Sequence, residues 1–138
     1  MNEVVIVDAV RTPTGRRGGV LAGVHPTDLL GVALQELIQR SGVDASSIGQ
    51  VVGGCVGQVG AQTSNVIRTA WLTAGLPIEV EACTVDSQCG SSQQAANVAY
   101  AMVAAGVVDS AIACGVEVMS LVPMGATVPR EPFVGKPV

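Results

Sequence analysis

An α/β domain built on a mainly parallel sheet is the fold class this sequence predicts, and three observations predict it. Short, near-continuous apolar runs recur along the chain, the pattern of strands covered on both faces. Between them lie stretches with helical apolar spacing, and a strand–helix–strand alternation returns each strand parallel to the last through right-handed crossovers. Finally, 17 glycines against 2% aromatics suit small-residue helices packed close to a sheet, and imply burial against further chain or subunits. At 138 residues the chain is one domain or a piece of a larger one.

Taken in order, residues 4–10 are the first apolar run and the first expected strand. Arg11-Thr-Pro-Thr-Gly15-Arg-Arg-Gly-Gly19 then turns the chain over the surface. It lacks the spacing of a P-loop or of a dinucleotide site, so it reads as a structural loop. Pro26 suits a first helical position and Asp28 a first turn, while Leu30, Ala33, Leu34, Leu37 and Ile38 form one apolar face. Arg40 and Gly42 close this helix. His25, the only histidine, precedes it; a catalytic base is one reading, but capping or flanking the helix is the stronger one.

Residues 51–56 are the second expected strand, with Gly53 and Gly54 allowing close backbone approach, and a glycine- and glutamine-rich loop follows over 57–62. Thr63 or Ser64 can cap a second helix whose Ile67, Ala70, Trp71 and Ala74 share a face, ending at Gly75 before Pro77. Trp71 reads as core. Residues 80–85 are a third strand, which delivers the chain to Cys89. The helix expected over 89–105 is polar in its first turn, then small and apolar on every side, as suits a helix buried centrally between layers. Gly106 stops it, and residues 110–116 form the fourth strand.

Several function classes fall away on composition. A net charge of −4 with no basic stripe argues against nucleic acid. The mean hydropathy of +0.50 raises the question of a membrane span, but the long uncharged stretch over residues 87–108 carries Ser91, Ser92, Gln93, Gln94 and Asn97. Glu3 and Asp8 interrupt the opening apolar run, and no cleavage pattern of a secretory leader follows it. Cys55, Cys83, Cys89 and Cys114 include no CxxC pair and no histidine spacing for zinc, so no metal is expected. Cys55, Cys83 and Cys114 fall in apolar strand-like runs and read as buried thiols of a reducing compartment.

Cys89 differs, because it stands where an apolar run breaks and a small-residue helix begins. Unpaired amides and the macrodipole at a helix start favour negative charge, and so favour the nucleophilic thiolate. Gly90 permits close approach, and the Cys89 N–H could contribute to an oxyanion hole. Asp86, if it faced the sulfur, would work the other way. Taken on spacing alone, a small buried cysteine and a nucleophile are both open.

Thr84-Val-Asp-Ser-Gln-Cys89-Gly-Ser-Ser-Gln-Gln-Ala resembles the nucleophile segment of thiolases, the coenzyme-A-dependent enzymes that cleave or form 3-ketoacyl-CoA. Three further stretches fit in the same order. Val4-Val-Ile-Val-Asp-Ala-Val-Arg11-Thr-Pro-Thr-Gly15-Arg is similar to the opening strand and turn. Val52-Gly-Gly-Cys-Val-Gly-Gln58-Val-Gly-Ala-Gln62-Thr-Ser-Asn65 is similar to the second strand and loop, and Ala113-Cys-Gly115-Val-Glu117-Val-Met119-Ser to the fourth strand. Many thiolases carry Asn at the position of Asp86 and a different tripeptide after the cysteine. The Gly-Ser-Ser form resembles thiolases acting on bulky CoA esters.

The resemblance implies a thiolase-like fold of two similar halves layered α/β/α/β/α, with a loop domain inserted after the fourth strand. On that basis residues 1–122 are an N-terminal core lacking its last strand, and residues 123–138 begin the inserted domain. Cys89 is then the nucleophile, while the activating histidine, the oxyanion asparagine and the acid–base cysteine belong to a second half. Coenzyme A and acyl-CoA are expected as substrates with no bound cofactor, and no coenzyme-A-binding residue is assigned in this stretch. The resemblance also implies a cytoplasmic homodimer or homotetramer, completed by a missing C-terminal half or a complementary subunit, with no turnover by these residues alone. A ketoacyl-synthase-like condensing enzyme and a non-catalytic thiolase-like scaffold are the alternatives.

Overall fold

In the computed structural model, which describes residues 2–128, helix α1 (Pro26–Ser41) forms where its end signals place it. His25 is its N-cap, with Nδ1 accepting from the Thr27 N–H at 3.3 Å. Gly42 ends it in the left-handed region, its N–H donating to the Ile38 carbonyl. Leu30 and Leu34 are buried, so the apolar stripe faces inward as its spacing requires.

A three-stranded sheet follows, with β1 (Gln50–Gly54) between β2 (Ala82–Val85) and β3 (Ala111–Gly115), all parallel. Helix α2 (Val66–Thr73) carries the chain from β1 out to β2, and α3 (Ser91–Ala104) carries it back past β1 to β3. Right-handed crossovers running in opposite directions put their helices on opposite faces. Burial follows that division. Val51 and Ile112 join Leu30, Leu34, Ile67, Ala70 and Trp71 in one core under α1 and α2, whereas Val52 and Cys83 share the other face with Val98 and Met102 of α3.

Local end signals mislead in one place. The N-cap of α2 is Asn65, rather than Thr63 or Ser64: its φ is 58°, and its side chain accepts from the Arg68 N–H while its amide donates to the Ala82 carbonyl at 2.9 Å. Asn tolerates the left-handed conformation and here ties the helix start to β2. Trp71 is fully buried and donates Nε1–H to the Pro77 carbonyl at 2.7 Å, the partner a buried indole needs.

Two further expectations are corrected. Residues 4–10 are not a strand in this chain: Val5, Ile6 and Val7 are 70%, 89% and 70% exposed, and the sheet consists of β1 to β3. An apolar run supplies strand propensity, but a strand exists only when a neighbour's amides and carbonyls complete its ladder. Nor does α3 begin at Cys89 or lie buried all round; it starts at Ser91 and buries Ser91, Ala95, Ala99 and Ala104, leaving Tyr100 56% exposed. Those buried positions form the side laid on the sheet, and no other layer among the described residues covers the opposite side.

Between the 4–10 run and the free edge of β3 opens a cleft of about 1900 Å³, walled also by α1 and α3. Ligand pockets run to roughly 300–1,000 Å³, so this space is larger than an ordinary small-molecule site.

Candidate active site

The stretch from Val85 to Ser91 has to leave the end of β2 and enter α3 over the sheet, and glycines make that entry possible. A Cβ built on Gly54 would lie 2.4 Å from Ser91 C and Ser92 N, and one on Gly115 would lie 2.0 Å from Ser92 Oγ. Gly54 and Gly115 are register partners in β1 and β3. They therefore form a floor without side chains, on which the first turn of α3 rests. That floor is at the carboxyl ends of the strands, the side on which open α/β sheets bind ligands.

Cys89 sits one residue before the N-cap Gly90 and is exposed. Gln88 before it has φ 54°, so the backbone turns sharply immediately ahead of the thiol. Among the described residues the Cys89 N–H has no acceptor, whereas the Gly90 and Ser91 amides donate to the Ser87 and Gln88 carbonyls at 3.0 Å. An exposed sulfur beside an unused amide is the pair needed to receive a carbonyl carbon and its developing oxyanion. The hydrogen bonds of Asp86 go to the turn: its Oδ1 accepts from the Gln88 N–H at 2.8 Å and lies 3.4 Å from Ser91 Oγ.

The other three thiols are free but differently placed. Cys55 is 1% exposed; burial, followed by the charge of Glu117, pushes its thiol up to about 12. Cys114 is likewise pushed up to about 12 by burial, with nearby Cys83 adding to it. Burial also raises the Cys83 thiol. None is prepared to be a thiolate near neutral pH. His25 is engaged with Thr27 at the start of α1, as the capping reading expects.

Sequence reasoning missed the pair Gln62 and Glu117. The Glu117 carboxylate accepts from the Val56 and Gly57 amides at 2.9 and 3.2 Å and from Gln62 Nε2 at 2.6 Å. Fully buried Gln62 also donates to the Gly57 carbonyl at 2.9 Å and accepts from the Val118 N–H at 2.7 Å. The network ties the exits of β1 and β3 together at the end of the sheet that carries Cys89. A lone carboxylate in the apolar run Val116-Glu117-Val118 was the available signal. Among the described residues, no group of three or more His, Cys, Asp or Glu side chains could hold a metal ion.

Comparison with known proteins agrees with this architecture. The family described as thiolase, N-terminal domain, matches residues 4–133. The chain is 44% identical over 126 residues to a steroid 3-ketoacyl-CoA thiolase of Mycobacterium tuberculosis, covering 91% of this chain and 31% of that protein. It is 46% identical over 122 residues to a beta-ketoadipyl-CoA thiolase of Pseudomonas aeruginosa, covering 88% of this chain and 30% of the relative. The crystal structure of the Bacillus anthracis acetyl-CoA acetyltransferase superposes with a TM-score of 0.79 at 39% identity, over 86% of this chain and 30% of that one. The chain thus spans less than a third of the length of each.

Proposed function

This chain belongs to the thiolase family, and from that premise we propose that it carries the acyl-accepting nucleophile, Cys89, of an enzyme that transfers acyl groups between 3-ketoacyl-CoA and coenzyme A. The observation that carries the proposal is the exposed Cys89, whose N–H has no acceptor among the described residues, held just before the α3 turn that rests on the Gly54–Gly115 floor. In the thiolytic direction the Cys89 thiolate attacks the 3-keto carbon and forms a C–S bond. The bond between C2 and C3 breaks, its electron pair leaves with the acetyl-CoA fragment, and that carbanion takes a proton. A second coenzyme A thiolate then attacks the acyl-cysteine, forming a new thioester and returning the Cys89 thiolate. A thiolate suits both steps, being a good nucleophile and a good leaving group.

The proton donors and acceptors for these steps belong, on this reading, to a second half of the enzyme or to a complementary subunit. By their names the relatives above are a steroid 3-ketoacyl-CoA thiolase, a beta-ketoadipyl-CoA thiolase and an acetyl-CoA acetyltransferase, and the Gly-Ser-Ser sequence after Cys89 supports a bulky acyl group here. The pathway follows as fatty-acid or steroid side-chain degradation, or acetoacetyl-CoA metabolism. A cytoplasmic enzyme is proposed; among the described residues no helix is long and apolar enough to cross a membrane. The open edge of β2 supports pairing with a second copy, giving a homodimer or homotetramer that light scattering would register. The cleft beside β3 supports a further strand of the same enzyme lying between β3 and residues 4–10.

The test is thiolysis of acetoacetyl-CoA by residues 1–138, first alone and then mixed with a separately expressed C-terminal half. Activity that appears only on mixing and disappears in Cys89→Ala is expected. Turnover by residues 1–138 alone, or turnover that survives Cys89→Ala, would contradict the proposal.

A further inference from the structure

Gln88 holds a φ of 54°, in the region that side chains other than Gly, Asn and Asp rarely enter. Both polar groups of this residue are held by side chains from either side of it. Its N–H donates to Asp86 Oδ1 at 2.8 Å, and its carbonyl accepts from Ser91 Oγ at 2.6 Å. Ser91 Oγ in turn accepts from the Ser87 N–H at 3.0 Å, and Ser91 itself is 4% exposed over the Gly54 floor. Strained backbone persists where its surroundings over-determine it, and here two side chains do so on the residue next to the thiol.

We propose that Asp86 and Ser91 are positioning residues that clamp Gln88 in its left-handed conformation and so fix the direction in which Cys89 presents its sulfur and its amide. Neither residue touches the reacting atoms; both act through the peptide that precedes Cys89. Without the clamp Gln88 relaxes to negative φ, which rotates the Cys89 N–H and its thiol together. The proposal rests on the reading of Cys89 as acyl acceptor. It also predicts which replacement is harmless in kind: Asn at 86 keeps the same Oδ1 acceptor, and Ala removes it.

The experiment measures single-turnover acylation of Cys89 by acetyl-CoA in the intact protein, alongside alkylation of the same thiol by iodoacetamide and thermal melting. Asp86→Ala and Ser91→Ala are expected to acylate about tenfold more slowly, the factor that one lost hydrogen bond implies. Iodoacetamide needs no oriented approach, so alkylation is expected to hold near the wild-type rate. Asp86→Asn should stay close to wild type, and adding Gln88→Gly to Asp86→Ala should recover rate, because glycine enters the left-handed region freely. Acylation by Asp86→Ala at the wild-type rate overturns the clamp. So does a fall in acylation and alkylation in equal proportion with no recovery by Gln88→Gly, which marks a merely structural role. A wild-type protein that alkylates at Cys89 but takes no acyl group overturns the reading of Cys89 itself, and the clamp with it.

Discussion

Gly54→Ala is the substitution that tests most sharply how the sheet sets the position of Cys89. The added Cβ would meet Ser91 C and Ser92 N at 2.4 Å and Ser91 O at 2.8 Å, all backbone atoms of the first turn of α3. No side chain can rotate away to relieve those contacts. Ordinary contact begins near 3.4 Å, so the helix start must retreat by about 1 Å, a displacement that costs an oriented reaction roughly 100-fold. Overpacking of this kind also costs about 1–3 kcal/mol of stability. Gly115→Ala is the internal control: its closest neighbour, Ser92 Oγ at 2.0 Å, is a side-chain end that can turn, although the Gly54 carbonyl at 3.0 Å remains tight. Single-turnover acylation of Cys89 by acetyl-CoA, measured with the melting temperature, should therefore rank wild type above Gly115→Ala and Gly115→Ala above Gly54→Ala. Wild-type acylation by a folded Gly54→Ala protein would show that the glycine floor does not set the position of Cys89, as would a reversal of the two glycine variants.

Two further outcomes follow from the thiols. Limiting iodoacetamide at neutral pH should mark Cys89 ahead of Cys55, Cys83 and Cys114 in the intact protein; peptide mapping that finds one of those three labelled first would contradict the assignment. Folding raises the Cys55 and Cys114 thiols from an ordinary 9.0 to about 12, so the unfolded chain releases these protons first. Their contribution to stability is full below about pH 9 and is lost as pH climbs toward about 12. Urea melts across that window should show the decline, and Cys55→Ala/Cys114→Ala should flatten it; an unchanged slope would count against burial as the cause.

What the sequence made legible was local. The ends of α1 could be read because Pro26, Asp28 and Gly42 act within a turn of themselves, and His25 as a cap needs nothing beyond Thr27. The order of strands and helices could be read from period and punctuation, and Cys89 from the junction it occupies. Strand formation at residues 4–10 could not, because pairing depends on a neighbour remote in sequence and none is present among β1 to β3. The same limit hid Asn65, whose capping role comes with its bond to Ala82 of β2. Gln62 and Glu117 meet across 55 residues of chain, so neither carries a local mark of the other. Gly54 and Gly115 were visible as glycines, but the helix that needs them arrives only with the crossover. At Asp86 composition left open whether the carboxylate faces the sulfur or the backbone, and the hydrogen bond to Gln88 gives it a backbone partner.

If Cys89 takes the acyl group, the acyl-cysteine can be trapped. Intact protein is mixed with acetyl-CoA without an acceptor thiol, quenched in acid, digested and examined by mass spectrometry. One acetyl group is expected on the peptide containing Cys89, removed on adding coenzyme A and absent from Cys89→Ser. Acetylation confined to another cysteine, or a Cys89 peptide that stays unmodified while the protein turns over substrate, would contradict it.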